Sequence, residues 1–127
     1  MGVPPFGALT GLHVLVVEDD DDARDILRSV LTYLGAFVST AATAQIAVNI
    51  LGHIKADVVV CDVYLGDTDA LWLIREARTH QPGTPFIAIS AQDHDEFEMQ
   101  RIGFTASLTK PVSHDVLVSE ILRAVAR

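Results

Sequence analysis

Short apolar runs alternate along the chain with segments in which apolar residues recur every three or four positions. The runs Val14 to Val17, Phe37 to Thr40, Val58 to Cys61, Phe86 to Ile89 and Ala106 to Thr109 are rich in apolar or β-favouring residues and bounded by turn formers, which predicts five strands. The first and third are apolar at consecutive positions, the pattern of parallel strands covered on both faces. From Asp21 to Leu34, the residues Ala23, Ile26, Leu27, Val30, Leu31 and Leu34 fall on one helical stripe, and Gly35 follows where a helix commonly stops. Thr43 to Leu51, Asp69 to Thr79, Asp93 to Ile102 and Ser113 to Ala126 predict four more helices, with Thr43, Asp69, Asp93 and Ser113 as N-caps and Gly103 as a stop. Strand and helix thus alternate five times, which requires crossover connections. The expected fold class is α/β, one doubly wound and mainly parallel sheet with helices on both faces.

Composition narrows the picture. Half of the 127 residues are apolar, enough for one compact core and too few for two domains. Residues 1–10 read as a flexible lead-in and 11–127 as the domain. A formal net charge of -8 repels phosphate backbones, so direct nucleic-acid binding is not expected. Cys61 is the one cysteine and sits inside an apolar run, which excludes a disulfide framework and a thiolate metal site and fits a reduced, cytoplasmic compartment. The first residues have no basic start of a signal peptide. No apolar run approaches the roughly 20 residues of a membrane span.

The chemistry gathers at strand ends. In a doubly wound sheet the ligand site lies beyond the carboxyl ends of the strands. Glu18 and Asp19 end the first strand, Asp62 the third, Ser90 the fourth and Lys110 the fifth. Three carboxylates at one edge repel each other and call for a cation, and oxygen donors with an open side suit Mg²⁺. A metal there would keep Asp62 ionised as a nucleophile. Lys110 and Ser90 supply a charge and a hydroxyl suited to a phosphoryl group.

Val16-Val17-Glu18-Asp19, Val60-Cys61-Asp62, Ile89-Ser90-Ala91 and Thr109-Lys110-Pro111 together resemble the motifs of response-regulator receiver domains of two-component signalling systems. The resemblance covers roughly residues 11 to 126. It implies a flavodoxin-like, five-stranded parallel sheet of order 2-1-3-4-5 with five helices. Asp62 would be the phosphoacceptor, taking a phosphoryl group from a histidine kinase or histidine phosphotransfer protein. Asp19 would bind Mg²⁺ with help from Glu18, and Asp62 and the backbone carbonyl of Tyr64 would complete the protein ligands. Ser90 would move to bond the phosphoryl group, Lys110 would pair with it, and a cis bond would precede Pro111. The domain would then signal to a downstream effector protein through its changed surface, promoting only its own phosphoryl transfer and loss. Helix four, strand five and helix five are where the family often forms homodimers.

Some positions depart from the family pattern. Gly66 and Ala70 replace a common proline and glycine after the phosphoacceptor, which leaves a turn-competent loop over 65–69. Ser107 stands where an aromatic ring usually couples to the hydroxyl residue, so output is expected to rely on loop and helix-four movement led by Ser90. Tyr64 and Gln92 occupy the two positions that tune phosphoryl lifetime.

Other residues invite simpler readings. Asp20, Asp21 and Asp22 read as a solvated helix start. His13, His53, His80, His94 and His114 lack ligand spacing, and Trp72 reads as helix packing. Two rival functions are a receiver-like docking module that works without phosphorylation and an aspartate-nucleophile phosphohydrolase. The latter wants an acid at the position of Tyr64. The chain would be either a single-domain regulator or the receiver of a longer protein such as a hybrid kinase, to which Leu9-Thr10-Gly11-Leu12 bears a weak likeness.

Overall fold

The structure is a computed structural model that describes residues 6–65, 68–91 and 95–126. Among these, strands β1 (His13–Val17), β2 (Phe37–Ala41), β3 (Val58–Asp62), β4 (Tyr64–Leu65), β5 (Thr68–Asp69), β6 (Phe86–Ser90) and β7 (Ala106–Thr109) alternate with helices α1 (Asp21–Tyr33), α2 (Ala44–Leu51), α3 (Ala70–His80), α4 (Glu96–Ile102) and α5 (His114–Val125). Five strands form one parallel sheet in the order β2-β1-β3-β6-β7. Numbered among themselves, they have the expected order 2-1-3-4-5. β1, β3 and β6 lie inside the sheet and are apolar at nearly every position, whereas the edge strands β2 and β7 are partly exposed.

The period-two alternation of the inner strands builds two cores. Leu15, Val17, Val59, Cys61, Phe86 and Ala88 face α2, α3 and the buried Met99 of α4. Val14, Val16, Val58, Val60, Ile87 and Ile89 face α1 and α5, where Leu31, Leu117 and Ile121 cover them. The helices are thus shared between the two faces.

Local signals set most helix boundaries. Asp20, Thr43 and Ser113 cap α1, α2 and α5, each accepting a backbone N–H from the first turn. Gly35, at φ 102°, follows the C-cap of α1, and Gly103, at φ 126°, ends α4. α4 departs from expectation: its described part begins at Glu96 with Asp95 as cap, because the Asp95 carboxylate accepts the Phe97 N–H at 2.9 Å. The cap expected at Asp93 lies outside the described residues. The stretch after Asp62, expected only as a turning loop, contains the antiparallel pair β4–β5, whose strands are separated in sequence by Gly66-Asp67.

The second half of the expected lead-in is packed. Leu9 is fully buried in the α1/α5 core, its N–H donates to the Leu34 carbonyl at 2.9 Å, and Phe37 N–H donates to the Leu12 carbonyl at 2.8 Å. Phe6 stands edge-on to Tyr33 with ring centroids 5.5 Å apart. A single leucine between two glycines carries too little periodicity to announce itself in the sequence.

Candidate functional site

Strand register brings the predicted site residues to one edge. Val17 is paired with Cys61, so Glu18 and Asp62 come one step later on adjacent strands. Asp62 is paired with Ile89, and Ser90 with Thr109, the residue before Lys110. The backbone continues the closure, since Lys110 N–H donates to the Ser90 carbonyl at 2.7 Å.

Glu18 is the anchor of this edge. Its side chain is buried, and its two oxygens are both satisfied: Oε1 accepts Lys110 Nζ at 2.9 Å and Oε2 accepts the Asp20 N–H at 3.1 Å. A carboxylate removed from water needs such partners. Lys110 Nζ also donates to Asp62 Oδ2 at 3.4 Å. Asp19 is exposed, Asp62 is half-buried and Ser90 is buried. The peptide bond between Lys110 and Pro111 is cis.

Electrostatics follow from this crowding. Burial lowers the pKa of the Lys110 ammonium, but the Glu18 hydrogen bond, with the charges of Asp62 and Glu18, overrides it and leaves the value raised. The Cys61 thiol is pushed far up by burial first and by the neighbouring carboxylates of Asp62 and Glu18 second, so it stays protonated and inert.

One ligand atom from each of Glu18, Asp19 and Asp62 lies within 4.8 Å of the others, and no other cluster of three or more such groups occurs among the described residues. The donors are all hard oxygens, and three carboxylates outnumber the Lys110 charge that meets them. That set fits Mg²⁺, which takes one or two carboxylates and fills its shell with other oxygens.

The surroundings place the remaining residues. Ser107 is half-buried on β7 opposite Ala88, and Pro111 is exposed. Tyr64 opens β4 two residues past Asp62; its side chain, like the whole of Gln92, lies outside the described residues. Asp20 caps α1 and Asp21 pairs with Arg24, as a solvated helix start requires. His13 contacts Ser39 at 2.8 Å, and His53 contacts the Asn49 carbonyl at 2.8 Å. Trp72 packs against the α2/α3 core. An apolar groove of about 510 Å³, lined by Ala23, Ile26, Leu27, Pro111 and Val112, opens beside Lys110. No sequence signal singles out Arg24, whose guanidinium donates to the Glu18 carbonyl at 3.0 Å and to Asp21 Oδ1 at 2.6 Å; a contact with a backbone carbonyl leaves no trace in side-chain pattern.

The chain matches the family model of the response regulator receiver domain over residues 14–122. It is 37% identical over 108 residues to an uncharacterized 14.6 kDa protein in the sodA1 3' region of Leptolyngbya boryana, covering 82% of either chain. It is 33% identical over 106 residues to the Regulator of RpoS of Escherichia coli (strain K12), covering 82% of this chain and 32% of that one. This chain therefore corresponds to about a third of that regulator's length. Among solved structures, the BeF3-activated DrrB receiver domain superposes with a TM-score of 0.79 at 26% identity, over 91% of this chain and 98% of that one. The Francisella response regulator 1452 receiver domain gives a TM-score of 0.82 at 27% identity, over 92% and 98%. Sequence and fold agree from the first strand to the last helix, and the chain belongs to the response regulator receiver domain family.

Proposed function

We propose that this chain accepts a phosphoryl group on Asp62 from a histidine kinase or histidine phosphotransfer protein and signals to an effector protein through the resulting change of surface. The observation that carries the reading is the convergence of Glu18, Asp19 and Asp62 within 4.8 Å, with Lys110 Nζ bonded to two of the three. In the transfer an Asp62 carboxylate oxygen forms a bond to phosphorus while the bond from phosphorus to the donor imidazole nitrogen breaks, and that nitrogen keeps the electron pair. Asp19 and Asp62, with Glu18 and the Tyr64 carbonyl, would hold Mg²⁺, which when bound supplies positive charge against the phosphoryl oxygens. Lys110, bonded to Asp62 Oδ2, adds a second positive charge beside the nucleophile. Ser90, buried at the end of β6, offers a hydroxyl to a phosphoryl oxygen. Tyr64 and Gln92 occupy the two sequence positions that tune how long the phosphoryl group survives in the family, and a bulky Tyr64 would shield it from water.

The apolar groove beside Lys110 would give the phosphodonor protein a docking surface. Buried, protonated Cys61 is consistent with a cytoplasmic setting. The domain turns over no small substrate in this reading.

Acetyl phosphate with Mg²⁺, followed by intact-protein mass, tests the proposal. Wild type should gain one phosphoryl group, and Asp62→Asn should gain none. An unlabelled wild type would instead indicate a phosphorylation-independent docking module, and sustained phosphate release with turnover would indicate a phosphohydrolase.

A further inference from the structure

We infer that Arg24 is a positioning residue that sets the metal-facing geometry of Asp19. The inference rests on the reading of Glu18 and Asp19 as cation-site carboxylates given above. Residues 18–22 are five consecutive acids, whose mutual repulsion favours an open, variable loop. Arg24 closes that loop from the first turn of α1: Nη1 donates to the Glu18 carbonyl at 3.0 Å and Nη2 to Asp21 Oδ1 at 2.6 Å. The Glu18 carbonyl belongs to the peptide plane that joins Glu18 to Asp19. Because that plane is rigid, holding its oxygen fixes the direction in which the Asp19 backbone begins.

The rest of Glu18 is held as well. Its N–H donates to the Ala41 carbonyl at 3.0 Å, and its carboxylate is shared between Lys110 and the Asp20 N–H. With the carbonyl clamped before Asp19 and the Asp20 N–H held by Glu18 Oε2 after it, the backbone torsions of Asp19 are restricted from both sides, and its exposed carboxylate has mainly its side-chain torsions to order when a cation arrives. The Arg24 side chain is 18% exposed, so its bond to the Glu18 carbonyl is partly sheltered from water, whereas its partner Asp21 is 85% exposed and that bond lies open to solvent. Charge alone argues the other way: an arginine bonded to the backbone of Glu18 adds positive charge near the cluster and repels a cation. The two effects have opposite signs, which makes the role measurable.

Mn²⁺ serves as the probe, with free Mn²⁺ read by electron paramagnetic resonance well below the melting temperature for wild type, Arg24→Ala and Arg24→Lys. Thermal unfolding in EDTA is recorded alongside. Positioning predicts that Arg24→Ala weakens Mn²⁺ binding about 10-fold. Arg24→Lys, whose ammonium can reach the carbonyl without bridging to Asp21, should recover part of the loss. Arg24→Ala binding as tightly as wild type or more tightly, with only its melting temperature lowered, overturns the inference and reduces Arg24 to a brace of α1. A wild type that binds no Mn²⁺ at all overturns it together with the reading of the site, an outcome visible before any variant is made.

Discussion

Lys110 Nζ lies 2.9 Å from Glu18 Oε1 and 3.4 Å from Asp62 Oδ2, so the ammonium is bound more closely to the buried carboxylate than to the one at the tip of β3. Glu18 thereby acts as the resting counter-ion of Lys110, and Asp62 is its longer, second partner. The raised pKa of Lys110 gives this pairing a definite pH signature. A group whose folded value is raised contributes stability that is fully present below its ordinary value, here 10.5, and is lost as pH rises through the higher folded value. Stability from the pair should therefore be flat across neutral pH and decline only in strong alkali. Nitrogen-15 titration of the Lys110 side chain checks this; deprotonation below the ordinary lysine value would contradict it.

Cys61 should be almost unreactive in the folded protein. Its thiol is buried and bonded to the Asp62 carbonyl at 3.1 Å, and burial with two adjacent carboxylates disfavours the thiolate. Iodoacetamide at neutral pH is expected to modify it on the order of 100-fold more slowly than the unfolded chain, since reaction must wait for opening. Mass spectrometry with and without urea measures the ratio.

Leu9 tests where the domain begins. It is fully buried beneath α1 and tied to Leu34, so Leu9→Ala should lower unfolding free energy by about 2–5 kcal/mol. A urea melt unchanged by the substitution would return residues 6–10 to the status of an appended segment.

Gln81 ties together the sheet edge opposite the site. Its Oε1 accepts from Ala56 N–H and Thr84 Oγ1, both at 3.0 Å, and its Nε2 donates to the carbonyls of Leu51 and Ile54. Gln81→Ala strands several sheltered partners and should lower stability by about 1–3 kcal/mol in a urea melt. Asp62 labelling by acetyl phosphate in the folded variant should stay at the wild-type level, because Gln81 makes its bonds beyond the amino ends of β3 and β6, whereas Asp62 and Ser90 stand at their carboxyl ends.

Ser107 leaves the signal to travel without an aromatic ring on β7. With Mg²⁺ and beryllofluoride as a phosphoryl mimic, amide shifts are expected in residues 91–104, the segment next along the chain from Ser90. Unchanged shifts there would sink the idea that helix-four movement led by Ser90 carries the output.

What could be read directly from the sequence was whatever has a short repeat or a strong local cause. Five apolar runs became the five sheet strands because period-two burial needs only neighbouring residues, and Thr43 and Ser113 announced their helices because a cap bonds within one turn. Asp62, Ser90 and Lys110 were legible as site candidates because a strand end marks its own last residue. The tertiary structure alone decided the pairing of Lys110 with Glu18 across 92 positions, the burial of Leu9 and the clamp of Arg24 on a backbone carbonyl. Contacts of that kind join residues far apart, or bind a main-chain oxygen that every residue carries, so no pattern of side chains along the chain encodes them.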